Sequence, residues 1–385
     1  MTSLIYLDNA ATTFPKPKNV AAVLNGCLES CGNPGRSSHS LSQNSSRLIY
    51  SCREIICSLF NYQSPENVVF TYNTTYALNM AINGLCPKEG NIIISNMEHN
   101  SVLRPVHELC KKSGGKLTYS VFDATGSDES CGAAFLSTLV PQTRLAVISG
   151  CSNVTGKLLP IQAIGEICRK KGIKLILDMA QSAGIVPIDL SRQYFSAACF
   201  AGHKSLYGIM GSGFCIFGKW ENPQSLIFGG NGIHSLSRLQ DGPLPERLEA
   251  GTLGVPSIAA LREGIKHVII TGTDGIYGKV THLSSLLTEN LENMDGVSVI
   301  GKCDKKVGTV LFNVTGLDSE RVSSLLADKG ICTRGSFHCS GLCHESLGTI
   351  DAGGGVRASF SHFNTEKEVA YLTDEVWRLA KEKSR

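Results

Sequence analysis

Two apolar runs near the middle of the chain each end close to a side chain that could do chemistry. The run at residues 174–177 delivers Asp178, and the run at residues 197–200 leads to Lys204. A lysine amine forms a Schiff base with an aldehyde, and a carboxylate keeps a pyridine nitrogen protonated so that the ring accepts electrons. The pair therefore predicts an enzyme that uses pyridoxal phosphate. The apolar, glycine-rich surroundings of Lys204 should desolvate its amine and lower its pKa, which favours a nucleophile.

Polar side chains also follow other apolar runs, and their types suit the same cofactor. Thr74 and Thr75 precede a helical pattern, where hydroxyls and backbone N–H groups favour a phosphate dianion, and an ordinary helix N-cap is the alternative. His99 could stack on a cofactor ring and move a proton, although a loop histidine with ordinary partners is the simpler interpretation. Asn153 follows a later run, and Gln181 comes soon after Asp178. Because suitable polar residues follow several successive apolar runs, a single shared site is a better explanation than coincidence.

A second group of reactive side chains lies near the C-terminus. Cys339 is surrounded by small residues, with His338 adjacent and Arg334 five residues earlier, which predicts a mobile, electropositive loop that favours a thiolate. One alternative is a structural cysteine, and the other is a metal site formed by His338, Cys339, Cys343 and His344. That cluster lacks a Cys-x-x-Cys pair, so we expect no metal. Arg357 is a candidate for a two-point clamp on a substrate carboxylate.

The elements that must position these side chains follow a regular rhythm. Short apolar runs alternate with amphipathic segments of helix length, which predicts a mostly parallel sheet covered by helices. The predicted strands are residues 68–70, 91–94, 116–119, 145–148, 174–177, 197–200 and 213–217. After about residue 252 the pattern changes to that of a smaller α+β domain. Its predicted helices are residues 257–272, 275–293, 319–329 and 365–383, and its strands are residues 297–300, 308–312 and 357–361.

The amino-acid composition indicates the class of protein and excludes some kinds of partner. The chain has 385 residues, of which 42% are hydrophobic and 18% charged, a composition typical of a compact two-domain enzyme. Its formal charge is +3 and its lysines and arginines are scattered, so nucleic acid is not an expected partner. Neither a membrane span nor a signal peptide is evident, and the 15 cysteines are mostly isolated in apolar contexts. We therefore expect a cytoplasmic protein without membrane contact.

The motifs together resemble those of the cysteine desulfurase and selenocysteine lyase family. This is the class V branch of the fold-type I pyridoxal phosphate enzymes. The likeness runs from Tyr-Leu-Asp-Asn-Ala-Ala-Thr at residues 6–12 to Arg-Ala-Ser-Phe at residues 357–360 and Phe-Asn-Thr at residues 363–365. It implies an α/β fold with a large domain at residues 15–252, built on a mostly parallel seven-stranded sheet. The small domain would comprise residues 1–14 and 253–385 and would carry the cysteine loop.

The resemblance also assigns roles to residues. Lys204, Cys339 and His99 would be catalytic: Lys204 forms the Schiff base, His99 stacks on the ring, and Cys339 forms a persulfide. The pyridoxal phosphate would be bound by Thr74, Thr75, His99, Asn153, Asp178, Gln181, His203, Lys204 and Thr252 of the partner subunit, so that a homodimer shares each site. The substrate would be bound by Arg357, Asn153, Ala11 and Arg334.

The activity implied by this resemblance is conversion of L-cysteine to L-alanine, with the sulfur passed from Cys339 to an acceptor protein. The short segment between Arg334 and Cys339 is similar to that of the group II members. Three positions depart from the family pattern, since Ala201 stands in place of a serine, Phe337 in place of a histidine, and Ser340 in place of an alanine. Selenocysteine lyase activity and a non-catalytic relative of the fold remain the alternatives.

Overall fold

The computed structural model describes residues 4–35, 37–232 and 236–383. Within these ranges the strands are β1 (Ile5–Tyr6), β2 (Val68–Thr71), β3 (Gly90–Ser95), β4 (Leu117–Phe122), β5 (Thr143–Ser149), β6 (Lys174–Asp178), β7 (Ala197–Ala201), β8 (Gly213–Phe217), β9 (Val297–Ile300), β10 (Thr309–Val314), β11 (Ile331–Cys332) and β12 (Val356–Ser359). The helices are α1 (Lys18–Ser30), α2 (Ser40–Leu59), α3 (Thr74–Leu85), α4 (Asn100–Lys112), α5 (Asp128–Thr138), α6 (Ile161–Lys171), α7 (Val255–Thr271), α8 (Thr273–Glu292), α9 (Ser319–Asp328), α10 (Gly341–Ser346) and α11 (Glu366–Lys383).

The largest sheet has seven strands in the order β2-β8-β7-β6-β5-β3-β4. Strand β8 runs antiparallel to both β2 and β7, whereas the pairs from β7 to β4 are all parallel. Six strands therefore end at the same edge of the sheet, which is where active sites of such sheets lie. The predicted α/β fold with a mostly parallel seven-stranded sheet is confirmed.

Helices cover both faces of this sheet because its strands are apolar on both sides. On one face, Ile93, Leu177 and Phe200 pack in a core with side chains of α2, α5, α6 and α7. On the other face, Ile94 and Ile176 pack with side chains of α3 and α4. Neighbouring residues of a strand thus enter opposite cores, as the pleat requires.

A further core lies around the antiparallel sheet β12-β10-β9. Side chains of α8, α9 and α11 pack against this sheet, and Leu7 of the N-terminal segment joins them. Strand β1 pairs in parallel with β11, which attaches the start of the chain to this part of the fold. No helix within the described residues is both long enough and apolar enough to span a membrane.

Local signals place two helix starts at the edge where the parallel strands end. The Asn73 side chain caps α3 by accepting a hydrogen bond from the backbone N–H of Tyr76 over 2.9 Å. The His99 side chain caps α4 by accepting from the backbone N–H of Ser101 over 3.0 Å. The helix therefore begins two residues earlier than predicted, so Thr74 and Thr75 lie in its first turn rather than before it, and the cap is Asn73.

Candidate active site

Lys204 and Asp178 come from neighbouring parallel strands. Asp178 is the last residue of β6, and Lys204 lies three residues beyond the end of β7. Burial lowers the pKa of Lys204 to about 8, and the negative charge of Asp178 partly opposes that shift. Asp178 is only 6% exposed, and burial raises its pKa, although a hydrogen bond from the backbone N–H of Ala180 and the charge of Lys204 work in the opposite direction. The structure thus brings this predicted pair together.

The hydrogen bond by which His99 caps α4 also fixes the tautomer of its ring. Its Nδ1 atom accepts from the backbone N–H of Ser101 and lies 2.8 Å from the Ser101 hydroxyl. Because Nδ1 accepts, the proton of the neutral ring is on Nε2. Burial, followed by the charge of Lys204, lowers the pKa of His99 to about 4. His99 is therefore a neutral imidazole close to the lysine at physiological pH.

The predicted phosphate end of the site contains hydrogen-bonding atoms without protein partners. The Thr74 hydroxyl and His203 Nδ1 are buried and make no hydrogen bond with the described residues. The Thr75 hydroxyl, in contrast, lies 2.8 Å from the hydroxyl of Ser101. Buried polar groups ordinarily have partners, so the two unpaired atoms fit a ligand with oxygen atoms such as a phosphate. The unpaired atoms of Thr74 and His203 therefore fit the phosphate of pyridoxal phosphate, whereas the Thr75 hydroxyl already has a protein partner.

The N-terminal segment fastens the backbone next to the lysine. The Lys16 ammonium donates to the backbone carbonyl of His203 over 2.7 Å and to the Thr13 hydroxyl over 2.6 Å. The Thr13 hydroxyl in turn donates to the backbone carbonyl of Lys204 over 2.8 Å. These contacts join residues about 190 positions apart, so the sequence analysis did not find Lys16 or Thr13.

The Cys339 loop is fastened on both sides of the cysteine. The Asn153 amide donates to the backbone carbonyl of His338 over 2.8 Å and accepts from the Ser340 hydroxyl over 2.7 Å. The backbone N–H of Asn100 donates to the carbonyl of Cys339 over 2.8 Å. These contacts differ from the mobile loop predicted from the small residues, because the backbone finds fixed partners outside the loop. The Cys339 side chain itself is exposed.

Arg357 is buried at the end of the site, with 2% of its surface exposed. Its Nη2 atom donates to Asp8 Oδ1 over 2.8 Å, and its Nη1 atom donates to the backbone carbonyl of Asn153 over 2.9 Å. Its Nε atom has no partner among the described residues. Arg334 pairs with it only through the backbone, and the Arg334 side chain is exposed.

The remaining predicted residues lie in two different parts of the structure: Gln181 and Ala11 lie together, and Thr252 lies elsewhere. Gln181 donates to the backbone carbonyl of Ala10 over 3.0 Å, which places it beside the partly buried Ala11. Thr252 is exposed and lines a different cavity of about 510 Å³, next to the buried ion pair between Arg53 and Glu249. None of the other predicted cofactor residues lines this cavity.

A cavity of about 640 Å³ lies between the cysteine and the N-terminal turns of α3 and α4. Its lining includes Cys339, His99, Thr75, Ser101 and Arg104. The charge of Cys339 acts on Arg357, and the charges of Arg357 and Arg334 act on Lys204, so Arg357 lies within electrostatic range of both the cysteine and the lysine. The thiol and the neutral imidazole thus line one cavity, Lys204 lies within electrostatic range of the imidazole, and Arg357 lies within electrostatic range of the thiol.

Comparison with known proteins identifies the family. The sequence profile of the class V aminotransferases matches residues 5–372. The chain belongs to this family. It is 28% identical to a probable cysteine desulfurase of Methanothermobacter thermautotrophicus over 98% of this chain and 94% of that protein. A probable cysteine desulfurase of Pyrococcus abyssi is 30% identical, over 95% and 92% of the two chains.

A solved structure of a class V enzyme supports the same assignment. The apo cysteine desulfurase of Thermococcus onnurineus superposes with a TM-score of 0.91 at 29% identity, covering 98% of this chain and 95% of that one. The predicted fold-type I architecture is thereby confirmed. The cofactor of this class V aminotransferase is pyridoxal phosphate, as the Lys204 and Asp178 pair predicted.

Proposed function

We propose that this class V enzyme is a pyridoxal phosphate-dependent cysteine desulfurase that converts L-cysteine to L-alanine and carries the sulfur on Cys339. The observation that carries the proposal is the shared cavity of Cys339 and His99, next to the buried Lys204. A thiol is a suitable sulfur acceptor only if it reaches the amino acid that the lysine processes. The names of the similar proteins agree with this activity.

Different residues would bind different parts of the cofactor. Lys204 would hold its aldehyde carbon, Asp178 its pyridine nitrogen, and Thr74 with His203 its phosphate. Bound pyridoxal phosphate supplies an electron-accepting ring that makes the α-proton of an amino acid removable. Because the pKa of Lys204 is lowered to about 8, part of its amine is unprotonated at neutral pH and is able to take that proton.

Sulfur transfer then requires a thiolate at Cys339. The thiolate attacks the sulfur atom of the substrate, so that an S–S bond forms while the bond between Cβ and sulfur breaks. The electron pair of the broken bond stays on the carbon fragment, which takes up a proton and leaves as alanine. The enzyme keeps a persulfide on Cys339, and we infer that an acceptor protein removes this sulfur. The exposure of Cys339 supports that transfer.

The substrate carboxylate is assigned to Arg357. Its guanidinium is fixed by Asp8 and by the backbone of Asn153, while its unpaired Nε still has a hydrogen to donate. A preorganised guanidinium binds a carboxylate with little loss of side-chain freedom. Ala11 and Arg334 would form the edges of the same subsite.

Assembly and location also belong to the proposal. We propose a homodimer in which Thr252 of the partner subunit approaches the phosphate, because Thr252 of one chain is exposed in a separate cavity. The packing of Leu7 with the C-terminal core supports a small domain of residues 1–14 and 253–385. All 15 cysteines are free thiols, which supports the reducing cytoplasm as the location.

The decisive experiment compares Cys339→Ala with Cys303→Ala, a partly buried cysteine outside the site. With L-cysteine as substrate, Cys339→Ala should abolish alanine formation while the visible absorbance of the cofactor remains. Cys303→Ala should turn over like the parent enzyme. Unchanged alanine formation by Cys339→Ala would refute the role of this thiol.

The same variants separate the desulfurase from a selenocysteine lyase. Selenol leaves more readily than thiol, so elimination from selenocysteine should depend less on Cys339. A lyase would retain selenocysteine turnover in Cys339→Ala and would process cysteine poorly in the parent enzyme.

A further inference from the structure

Three buried side chains form a hydrogen-bonded chain behind the cysteine loop. His338 Nδ1 lies 3.1 Å from His344 Nε2, and His344 Nδ1 lies 2.7 Å from the Thr349 hydroxyl. At the other end, His338 Nε2 lies 3.1 Å from the backbone carbonyl of Arg334. All three side chains are buried, and the two imidazole rings are stacked with centroids 5.3 Å apart.

The carbonyl of Arg334, at one end of this chain, fixes which atom donates in each hydrogen bond. The carbonyl of Arg334 only accepts, so His338 Nε2 must carry a proton. In a neutral ring, His338 Nδ1 is then an acceptor, and His344 Nε2 must donate to it. His344 Nδ1 therefore accepts from the Thr349 hydroxyl. Every bond points in the same direction, from Thr349 to the backbone of Arg334.

Burial keeps both rings neutral. Burial, followed by the charge of Arg357, lowers the pKa of His338 to about 3 and that of His344 to about 4. A proton added to His338 Nδ1 would face the proton on His344 Nε2 and break the chain. His338 thus has no nitrogen available to take a proton from its neighbour Cys339. The adjacent histidine is not the base that activates this thiol.

The loop that this chain supports has an unfavourable backbone. Ser336, His338 and Cys339 have φ angles of +80°, +52° and +57°, a region that residues other than glycine seldom adopt. The bond from His338 to the Arg334 carbonyl closes this loop on itself, and the contact with His344 anchors it to α10. Such strain persists only where the surroundings fix it.

We propose that His344 and Thr349 are positioning residues for sulfur transfer: they hold His338 in the tautomer protonated at Nε2 and thereby hold Cys339 at the cavity. This inference rests on the proposed role of Cys339. It assigns His338 a structural task, and it makes the reactivity of the cysteine depend on a threonine ten residues further along the chain.

The first test is a ¹⁵N NMR spectrum of the enzyme labelled at histidine, assigned with single-residue variants. His338 and His344 should both appear as neutral rings protonated at Nε2, from pH 8 down to pH 5.5. A His338 ring protonated at Nδ1, or one that titrates in this range, would overturn the inference. This measurement does not depend on turnover, so it stands whether or not the enzyme is a desulfurase.

The second test uses Thr349→Val, with Thr349→Ser as the conservative variant and Glu345→Gln as the matched control. Glu345 is exposed on the same helix as His344. Thr349→Val should lower kcat for alanine formation about tenfold, the effect expected from loss of one buried hydrogen bond that positions a reacting group. KM for cysteine should change less than twofold, and the tautomer signals of His344 should broaden or shift.

Thr349→Ser restores the hydroxyl and should restore both kcat and the NMR signals, while Glu345→Gln should match the parent enzyme. Parent-like kcat and parent-like ring signals in Thr349→Val would refute the positioning role. If no variant and no parent protein forms alanine, the proposed desulfurase activity fails, and the NMR result alone decides the hydrogen-bonded chain.

Discussion

Arg357 Nη2 donates to Asp8 Oδ1 over 2.8 Å, which joins two residues that are 349 positions apart in the sequence. The contact attaches strand β12 to the segment that follows β1. It neutralises a guanidinium that is almost fully buried, and burial lowers the pKa of that group despite the charge of Asp8. Both terminal nitrogens of the guanidinium thus make structural hydrogen bonds, which leaves the Nε–H for a substrate.

Replacing Arg357 by lysine should therefore impair substrate binding. An ammonium lacks the rigid fork and cannot serve Asp8, Asn153 and a carboxylate together. We expect KM for cysteine to rise about tenfold or more, because a charge-assisted bond is worth roughly 1.5–3 kcal/mol, and kcat to fall much less. Arg321→Lys, at an exposed position of α9, is the control. An unchanged KM in steady-state kinetics would remove Arg357 from the substrate site.

The two adjacent threonines of α3 should respond differently to replacement by valine. Thr74→Val removes a buried hydroxyl without a protein partner, so the cofactor-free protein should gain about 1 kcal/mol of unfolding free energy. The same change should weaken pyridoxal phosphate binding about tenfold. Thr75→Val removes the partner of Ser101 and should lower stability instead. Urea unfolding and cofactor titration measure both effects, and a loss of stability in Thr74→Val would contradict this assignment.

The reactivity of the Lys204 amine should depend on Asp178. In the cofactor-free protein, acylation of Lys204 should reach its half-maximal rate near pH 8, where the pKa of the amine is placed. The carboxylate favours the ammonium form, so Asp178→Asn should move this midpoint to lower pH. Mass spectrometry of acylated peptides measures the rate, with the exposed Lys219 as an internal reference. A midpoint that moves upward in Asp178→Asn would contradict the proposed electrostatic coupling.

The strands of the large sheet were predictable because each one is a continuous apolar run buried on both faces. The run 174–177, for example, is found as β6 at Lys174–Asp178. Helices α1 and α2 had no prediction. The buried face of α2 has helical spacing, but serines, cysteines and an arginine make up much of it, so it does not appear as an apolar stripe in the sequence. Strands β1 and β11 have two residues each and exist only because they pair with each other.

Site residues were predictable where the chemistry restricts the residue type, as for Lys204, Asp178 and Cys339. The residues that position these side chains were not predictable, because serines and aspartates are common and acquire such a role only through a contact in the folded chain. Ser101 stands two residues after His99, so a capping pattern could have indicated it. Asp8 lies within the motif at residues 6–12, but its bond to Arg357 depends on the folded chain. His344 was considered only as a metal ligand, whereas the structure pairs it with His338 and Thr349.

Glu98 is a fully buried carboxyl group beneath the site, and it bridges two strands. It accepts from the Ser95 hydroxyl over 2.5 Å and from the Ser149 hydroxyl over 2.6 Å. Burial raises its pKa to about 7, even though these hydrogen bonds act in the opposite direction. Glu98 was not predicted from the sequence, since a glutamate beside His99 gives no sign of its burial.

Because the pKa of Glu98 is raised, replacing this residue should change the free energy of unfolding by an amount that depends on pH. The folded protein binds a proton here below about pH 7, whereas the unfolded chain does so only below about pH 4.5, the ordinary pKa of a glutamate. The group therefore stabilises the fold most at low pH, and this stabilisation is lost as the pH rises through 7. Relative to Glu98→Gln, the parent protein should lose about 2 kcal/mol of unfolding free energy between pH 5 and pH 8.

Urea unfolding of both proteins at several pH values measures this difference, and Glu54→Gln, at an exposed position of α2, is the control that should show no such trend. The buried histidines act with the opposite sign, because burial lowers the pKa of His338 to about 3 and of His344 to about 4. Their contribution is common to the parent and to Glu98→Gln and cancels in the comparison. A difference that stays constant or grows from pH 5 to pH 8 would show that Glu98 is already ionised in the folded enzyme.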